Sequence, residues 1–192
     1  MIRNNLNKIK ILLSNPFEYF FRIFYLLYLY LSYPFYKVML QKFGKKSFIH
    51  PLASIRNHRK ISIGNNVIIN RNVNIWGHYF KIGNNVQINP NTCLYGSIKI
   101  GNNVMIAPNC MLASGNHGIE NNDIPMIFQK CTTKGNIIIE DDVWIGANSV
   151  ILDGIIIRSG AVIGGGSVVT KDIPSNAIVV GNPAKIIRYR TR

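Results

Sequence analysis

The side chains in this 192-residue sequence best suited to proton transfer or nucleophilic attack are four histidines and three cysteines. One histidine stands apart by its setting. His117 lies in Ser114-Gly115-Asn116-His117-Gly118, followed by Glu120, Asp123 and Pro125. Imidazole, with a reference pKa of about 6.5, can take a proton from a hydroxyl at neutral pH. Glu120 and Asp123 read either as carboxylates that fix its tautomer or as solvated loop charges. Zinc would need three of His50, His58, His78 and His117 to converge, and no metal is expected. Cys93, Cys110 and Cys131 are odd in number and show no CxxC spacing. That excludes a disulfide scaffold and a zinc finger, fits a reducing compartment, and gives no cysteine the setting of a nucleophile. There is no Walker loop.

What must position His117 is a six-residue repeat. Ile82, Ile88, Leu94, Ile100, Ile106 and Leu112 fall at successive six-residue steps, as do Ile139, Ile145, Ile151, Ile157, Ile163 and Val169. Ile63, Ile69 and Ile75 join the first set with one extra residue near Gly77. Gly or Ala often follows the leading aliphatic residue, and four positions on sits a smaller one: Val67, Val86, Val104, Cys110, Ser149 or Ser167. Period six fits neither an amphipathic helix nor simple alternation. It does fit one short strand and one corner per step, with three steps closing a triangular coil whose aliphatic residues point inward. Asn-Asn pairs at 65–66, 84–85 and 102–103 suit corners that need left-handed backbone. Gly164-Gly165-Gly166 lies inside this repeat and is no dinucleotide-binding turn.

The repeat fails once. Leu112 and Ile139 are 27 positions apart, not a multiple of six, so residues 113–136 leave the coil as the loop that carries His117. A polar excursion from a rigid scaffold is a common place for catalytic groups.

On these residues the sequence, over about 49–190, resembles the hexapeptide-repeat acyltransferases, whose fold is a left-handed parallel β-helix. The 113–136 loop, with Val104–Asn109 before it and Trp144–Ala147 after it, resembles the galactoside and maltose acetyltransferases. It is still more similar to O-acetyltransferases of bacterial surface polysaccharides. The resemblance implies an all-β domain, acetyl-CoA as co-substrate, a homotrimer with active sites between neighbouring coils, and His117 as general base. It matches Asn89 to a residue that holds the acceptor and the oxyanion; the plain alternative is a corner asparagine. It matches Trp144, Ala147, Gly165, Thr170, Lys171, Lys185 and Arg188 to positions lining acetyl-CoA, and Gly181–Lys185 to the exit from the β-helix. The expected reaction is O-acetylation of a sugar hydroxyl on a bacterial surface glycan or its lipid-linked precursor. Alternatives are N-acetylation of a nucleotide-linked amino sugar, O-acetylation of an antibiotic or other foreign compound, or a non-catalytic scaffold.

The net charge of +14 is unevenly spread. Residues 1–60 carry eleven Lys/Arg against the single acidic Glu18, a net +10, whereas residues 61–192 carry eleven against seven, a net +4. That distribution argues against nucleic acid and for a membrane surface. Ser14-Asn15-Pro16 starts a helix, Pro34 is expected to break or kink it, and Gly44 to stop it. The uncharged run Ile23–Tyr36 is too short to span a bilayer and holds five tyrosines, which favour the headgroup level. Residues 14–46 therefore read as interfacial helices, with Lys8 and Lys10 before them and Lys37, Lys42, Lys45 and Lys46 within them toward anionic headgroups, or as helices packed on the protein or on sister subunits. No cleavage site follows, so the expected location is cytoplasmic, peripheral to the inner membrane face. The expected segments are 1–48 helical, 49–180 β-helix and 181–192 a basic tail.

Overall fold

In the computed structural model, residues 16–191 are described. Ser14, Asn15, Lys8 and Lys10, named above for the helix start and its basic face, lie outside them. The chain divides into two compact units at Tyr36/Lys37.

The first unit is occupied by a helix, Pro16–Met39, of 24 residues, which continues through Pro34. Loss of one N–H at Pro34 does not stop it, and it ends five residues before the expected Gly44. Phe17, Phe20, Phe21, Phe24, Leu27, Tyr30, Leu31 and Phe35 are all exposed. Among the described residues no helix is long and apolar enough to cross a membrane.

The second unit is a left-handed parallel β-helix with three faces. The first face stacks strands through Ile55, Ile75, Leu94, Leu112, Ile151 and Val169. The second stacks Phe43, Ile63, Ile82, Ile100, Ile139 and Ile157. The third stacks Ile49, Ile69, Ile88, Ile106, Ile145, Ile163 and Val179. From Ile61 onward these inward residues are at most 3% exposed, and Val67, Val86, Val104, Cys110, Ser149 and Ser167 are buried beside them. Burying one such aliphatic side chain is worth roughly 1.5–3 kcal/mol, so the axial column dominates stability.

The coil begins at Lys42 rather than at 49. Phe43-Gly44 and Ser47-Phe48-Ile49 already obey the six-step rule, and the Ser47 hydroxyl donates to the Gly64 carbonyl at 2.6 Å. The expected tail is also structured. After a reversal at Gly181–Ala184, strand Lys185–Tyr189 pairs antiparallel with Ala177–Val180. Arg190 then reaches Asp142 at 2.9 Å.

Corners between the second and third faces use Asn66, Asn85 and Asn103 at φ 55–57°. Their side-chain amides bond one another coil to coil at 2.9–3.0 Å. The first asparagine of each pair receives the backbone N–H from the coil before, and Asp141 continues that ladder at Asn102. Corners between the third and first faces repeat the device with Asn72, Asn91, Asn109 and Asn148. The remaining corner differs. Strands Asn74–Ile82 and Cys93–Ile100 run around it unbroken, bending at Gly77 and Gly96. The extra residue foreseen near Gly77 is His78, where the register between the two strands shifts. A Cβ on Gly77 would lie 1.9 Å from the Gly96 carbonyl oxygen, and one on Gly96 1.8 Å from that of Ser114. Only glycine lets the backbones stack this closely.

Candidate active site

The loop leaves the coil at this glycine corner, one step above Gly96, and returns at Ile137. Its two limbs meet in a small antiparallel bridge. Asn116 and Thr132 exchange N–H to carbonyl bonds of 2.8 Å in both directions. His117 follows one end of the bridge and Cys131 precedes the other, which places His117 Nδ1 3.8 Å from Cys131 Sγ. Further out, the Gln129 amide staples the loop by donating to the carbonyls of Asn121 and Ile124 at 2.7 Å.

Between the loop and the glycine corner lies a cleft of about 600 Å³. His117, Cys131 and Thr132 form one wall, Tyr95, Ser97 and Met111 the other, and Gly77 and Gly96 the bare floor. Tyr95 is 46% exposed and lies edge-on to Trp76, over whose ring the Arg56 guanidinium sits at 4.0 Å. A basic imidazole, a half-open aromatic wall and hydroxyl groups can hold a polar organic molecule and remove a proton from it.

Glu120 and Asp123 make no hydrogen bond or ion pair with His117; the group facing its Nδ1 is Cys131. Sequence reading missed that neighbour, because two residues fourteen apart meet only once the bridge forms. It also missed Asp153, a carboxylate 5% exposed at the foot of the loop. The signal was available: Asp153 sits two places after the inward Ile151, where the chain turns at Gly154. Cys110 is buried as the repeat required, and burial pushes its thiol and that of Cys93 upward from the ordinary range. Among the described residues no three His, Cys, Asp or Glu side chains converge as metal ligands would.

Asn89 does not line this cleft. It sits on the corner between the third and first faces. There its amide donates to the Ile106 carbonyl at 2.9 Å and its oxygen accepts from Gln87 and Asn70. The seven residues matched to acetyl-CoA fall in three groups. Trp144, 49% exposed, and Arg188 belong to one outward column of the third face, through Val162 and Ile178. Ala147 and Gly165 stack on the next corner, where a Cβ on Gly165 would lie 3.2 Å from the Ala147 carbonyl oxygen. Thr170 and Lys171 are exposed beyond the first face, on the corner column that carries His117's loop, and Lys185 is exposed on the last strand. Within one chain the structure therefore stacks Ala147 against Gly165, aligns Trp144 and Arg188 in one column with Val162 and Ile178 between them, and leaves Asn89 outside the His117 cleft.

Residues 81–114 match the bacterial transferase hexapeptide (six repeats) family, and residues 136–171 the hexapeptide repeat of succinyl-transferase. The chain is similar to AntD, an N-acyltransferase from Bacillus cereus solved with dTDP and 3-hydroxybutyryl-CoA. Identity is 30%, the TM-score is 0.75, and the match covers 83% of this chain and 88% of AntD. VCA0836 of Vibrio cholerae, a hexapeptide-repeat-containing acetyltransferase, matches at 27% identity and a TM-score of 0.58, over 84% and 80% of the two chains. A curated relative, 2,3,4,5-tetrahydropyridine-2,6-dicarboxylate N-acetyltransferase of Staphylococcus aureus (strain JH9), is 54% identical over 52 residues. Those residues are 27% of this chain and span about a fifth of the relative's length, 22%.

Proposed function

Because the chain belongs to the hexapeptide-repeat acyltransferases, we propose that it moves an acetyl group from acetyl-CoA to a sugar hydroxyl, with His117 as general base. The cleft that gathers His117 against the glycine corner carries this reading. His117 takes the hydroxyl proton as the oxygen attacks the thioester carbonyl. Backbone amides stabilise the tetrahedral oxyanion. Collapse expels the CoA thiolate, which takes the proton back from the imidazolium. Nδ1 faces Cys131, so Nε2 is the nitrogen turned to substrate. The pantetheine arm lies along the small Ala147 and Gly165 with Trp144 beside it, and Thr170, on the corner column of His117's loop, meets it from a neighbouring copy. Lys171, Lys185 and Arg188 supply positive charge to the nucleotide phosphates.

The working form is a homotrimer, in which Asn89 reaches His117 only from a neighbouring copy. The loop supports this: Ile124, Met126, Ile127 and Phe128 stand exposed, Phe128 at 77%, and need an apolar partner. The acceptor is a surface glycan or its lipid-linked precursor, met at the inner face of the cytoplasmic membrane. The exposed aromatic helix Pro16–Met39 favours that location. So does charge: between Glu18 and Glu120 the sequence has no acidic residue at all. Co-sedimentation with vesicles containing phosphatidylglycerol, but not with neutral ones, is the expected result; recovery in the supernatant from both removes the membrane from this reading.

A second reading, N-acetylation of a nucleotide-linked amino sugar, is favoured by the likeness to AntD. One experiment separates them. Acetyl-labelled acetyl-CoA is incubated with source-cell extract and either the protein or its His117→Ala form. Alkali-labile, His117-dependent label in membrane glycan supports O-acetylation. Alkali-stable label on a soluble sugar nucleotide supports the second reading and removes the first.

A further inference from the structure

We infer that Asp153 is the residue that positions His117, by clamping both limbs of the catalytic loop to the coil beneath; this rests on the reading of His117 as the base. Asp153 is the one acidic side chain among the described residues that is buried. Among the described residues no Lys, Arg or His forms an ion pair with its carboxylate. Instead one oxygen accepts from the Thr133 hydroxyl at 2.9 Å. The other accepts from the Lys134 backbone N–H at 2.5 Å and from the Asn116 amide at 3.4 Å. Thr133 and Lys134 belong to the returning limb, and Asn116 to the outgoing limb, adjacent to His117. A single carboxylate thus fixes both sides of the Asn116–Thr132 bridge.

The loop has few other anchors. Its apolar side chains from Ile119 to Phe128 are exposed in the chain by itself, so burial does not hold it down. The neighbouring residue reinforces the clamp. Gly154, at φ +74°, packs directly under Lys134, where a Cβ would approach the Lys134 Cβ to 2.7 Å. Charge-assisted bonds from a buried carboxylate to backbone N–H groups are among the stronger ones available. The His117 ring follows Asn116 in the chain and has no hydrogen-bonded carboxylate of its own. Its place relative to the cleft is therefore set through this clamp.

The test compares His117→Ala, Asp153→Ala, Asp153→Asn and the double variant His117→Ala/Asp153→Ala in the full chain. The rate is label transfer from acetyl-CoA into source-cell extract. Asp153→Ala is expected to slow transfer at saturating acetyl-CoA by at least about tenfold, since ångström-scale misplacement of a base has that order of effect. The KM for acetyl-CoA should change by less than about twofold. Asn keeps one acceptor oxygen for Lys134 and Asn116 and offers Thr133 a donor, so Asp153→Asn should restore most of the rate. In the double variant the two losses should not multiply, because a base that is absent cannot be misplaced.

An independent readout is the carbon–proton NMR spectrum of the histidine rings. In Asp153→Ala the His117 resonances should move while those of His50 and His58, which lie outside the cleft, hold. Should Asp153→Ala fail to fold, Thr133→Val removes one arm of the clamp at an exposed site and should shift the same His117 resonances. Unmoved His117 resonances, or wild-type transfer in Asp153→Ala beside an inactive His117→Ala, overturn the clamp. Full activity in His117→Ala overturns the base itself, while the NMR result still reports on the clamp.

Discussion

Replacing Gly96 by alanine tests whether the glycine corner sets the position of the catalytic loop. Two costs arise. Gly96 has φ +88°, which a residue with a Cβ adopts at a cost of roughly 1–2 kcal/mol. The new Cβ would also lie 1.8 Å from the Ser114 carbonyl oxygen, and ordinary contact begins near 3.4 Å. Ser114 and its coil must therefore move by about 1.6 Å, the difference of those distances. Overpacking of that kind costs roughly 1–3 kcal/mol. The sum is about 2–5 kcal/mol, or about 4–20 °C in Tm for a chain of this size. Ser114 is three residues from His117, so a shift of that size should lower the rate of acyl transfer by about 10²-fold. Gly166 is the internal control for stability: its φ is +71°, yet a Cβ there meets nothing within 4 Å. Gly166→Ala should lose only the backbone cost, about 2–8 °C. Calorimetry on both variants and label transfer from acetyl-CoA with Gly96→Ala read the outcome. Equal Tm losses in the two variants, with undiminished transfer in Gly96→Ala, would refute the reasoning.

Other outcomes follow from the same geometry. His117→Ala should lower turnover by roughly 10²–10⁴-fold, read as the rate of free CoA release in the presence of extract. Maleimide at pH 7 should label Cys131 first and inactivate, with Cys131→Ala active and resistant. Cys131 is exposed in the cleft, whereas burial pushes the Cys93 and Cys110 thiols up. The thiolate fraction of Cys93 should therefore grow only as pH rises further, and mass spectrometry of labelled peptides checks the order. Ile145→Ala, at a position with no exposed surface, should cost about 2–5 kcal/mol, measured by denaturant unfolding. Arg190→Ala removes an exposed ion pair, worth at most about 1 kcal/mol, and a hydrogen bond to the Gly160 carbonyl, worth about 1.5 kcal/mol, so Tm should fall by no more than about 10 °C.

The fold was legible because one physical rule recurs: every sixth residue points inward, and a period of six admits few other structures. The loop was legible as the place where that rule fails between Leu112 and Ile139. The first coil was missed because its inward residue at position 43 is aromatic and its corner carries Lys45-Lys46 in place of an asparagine pair. Pro34 does not break the helix, because a helix can lose one N–H and continue. Cys131 and Asp153 were invisible for a different reason: their roles come from contacts across the loop and between coils, which no local pattern records. Asn89 was legible as a corner asparagine, and its amide is bonded there; the role proposed for it toward His117 lies between copies, which no pattern within one chain records.

The antiparallel strand Lys185–Tyr189 has a consequence for polymerisation. A parallel β-helix is a template for its own extension, since each finished coil presents a row of N–H and carbonyl groups to the next. Reversing the chain direction and fixing Arg190 on Asp142 and on the Gly160 carbonyl covers the third face of the last coil with a strand of the wrong polarity. Its outward side carries the charges of Lys185 and Arg188. Along that face a second molecule finds no parallel edge on which to seed a fibre.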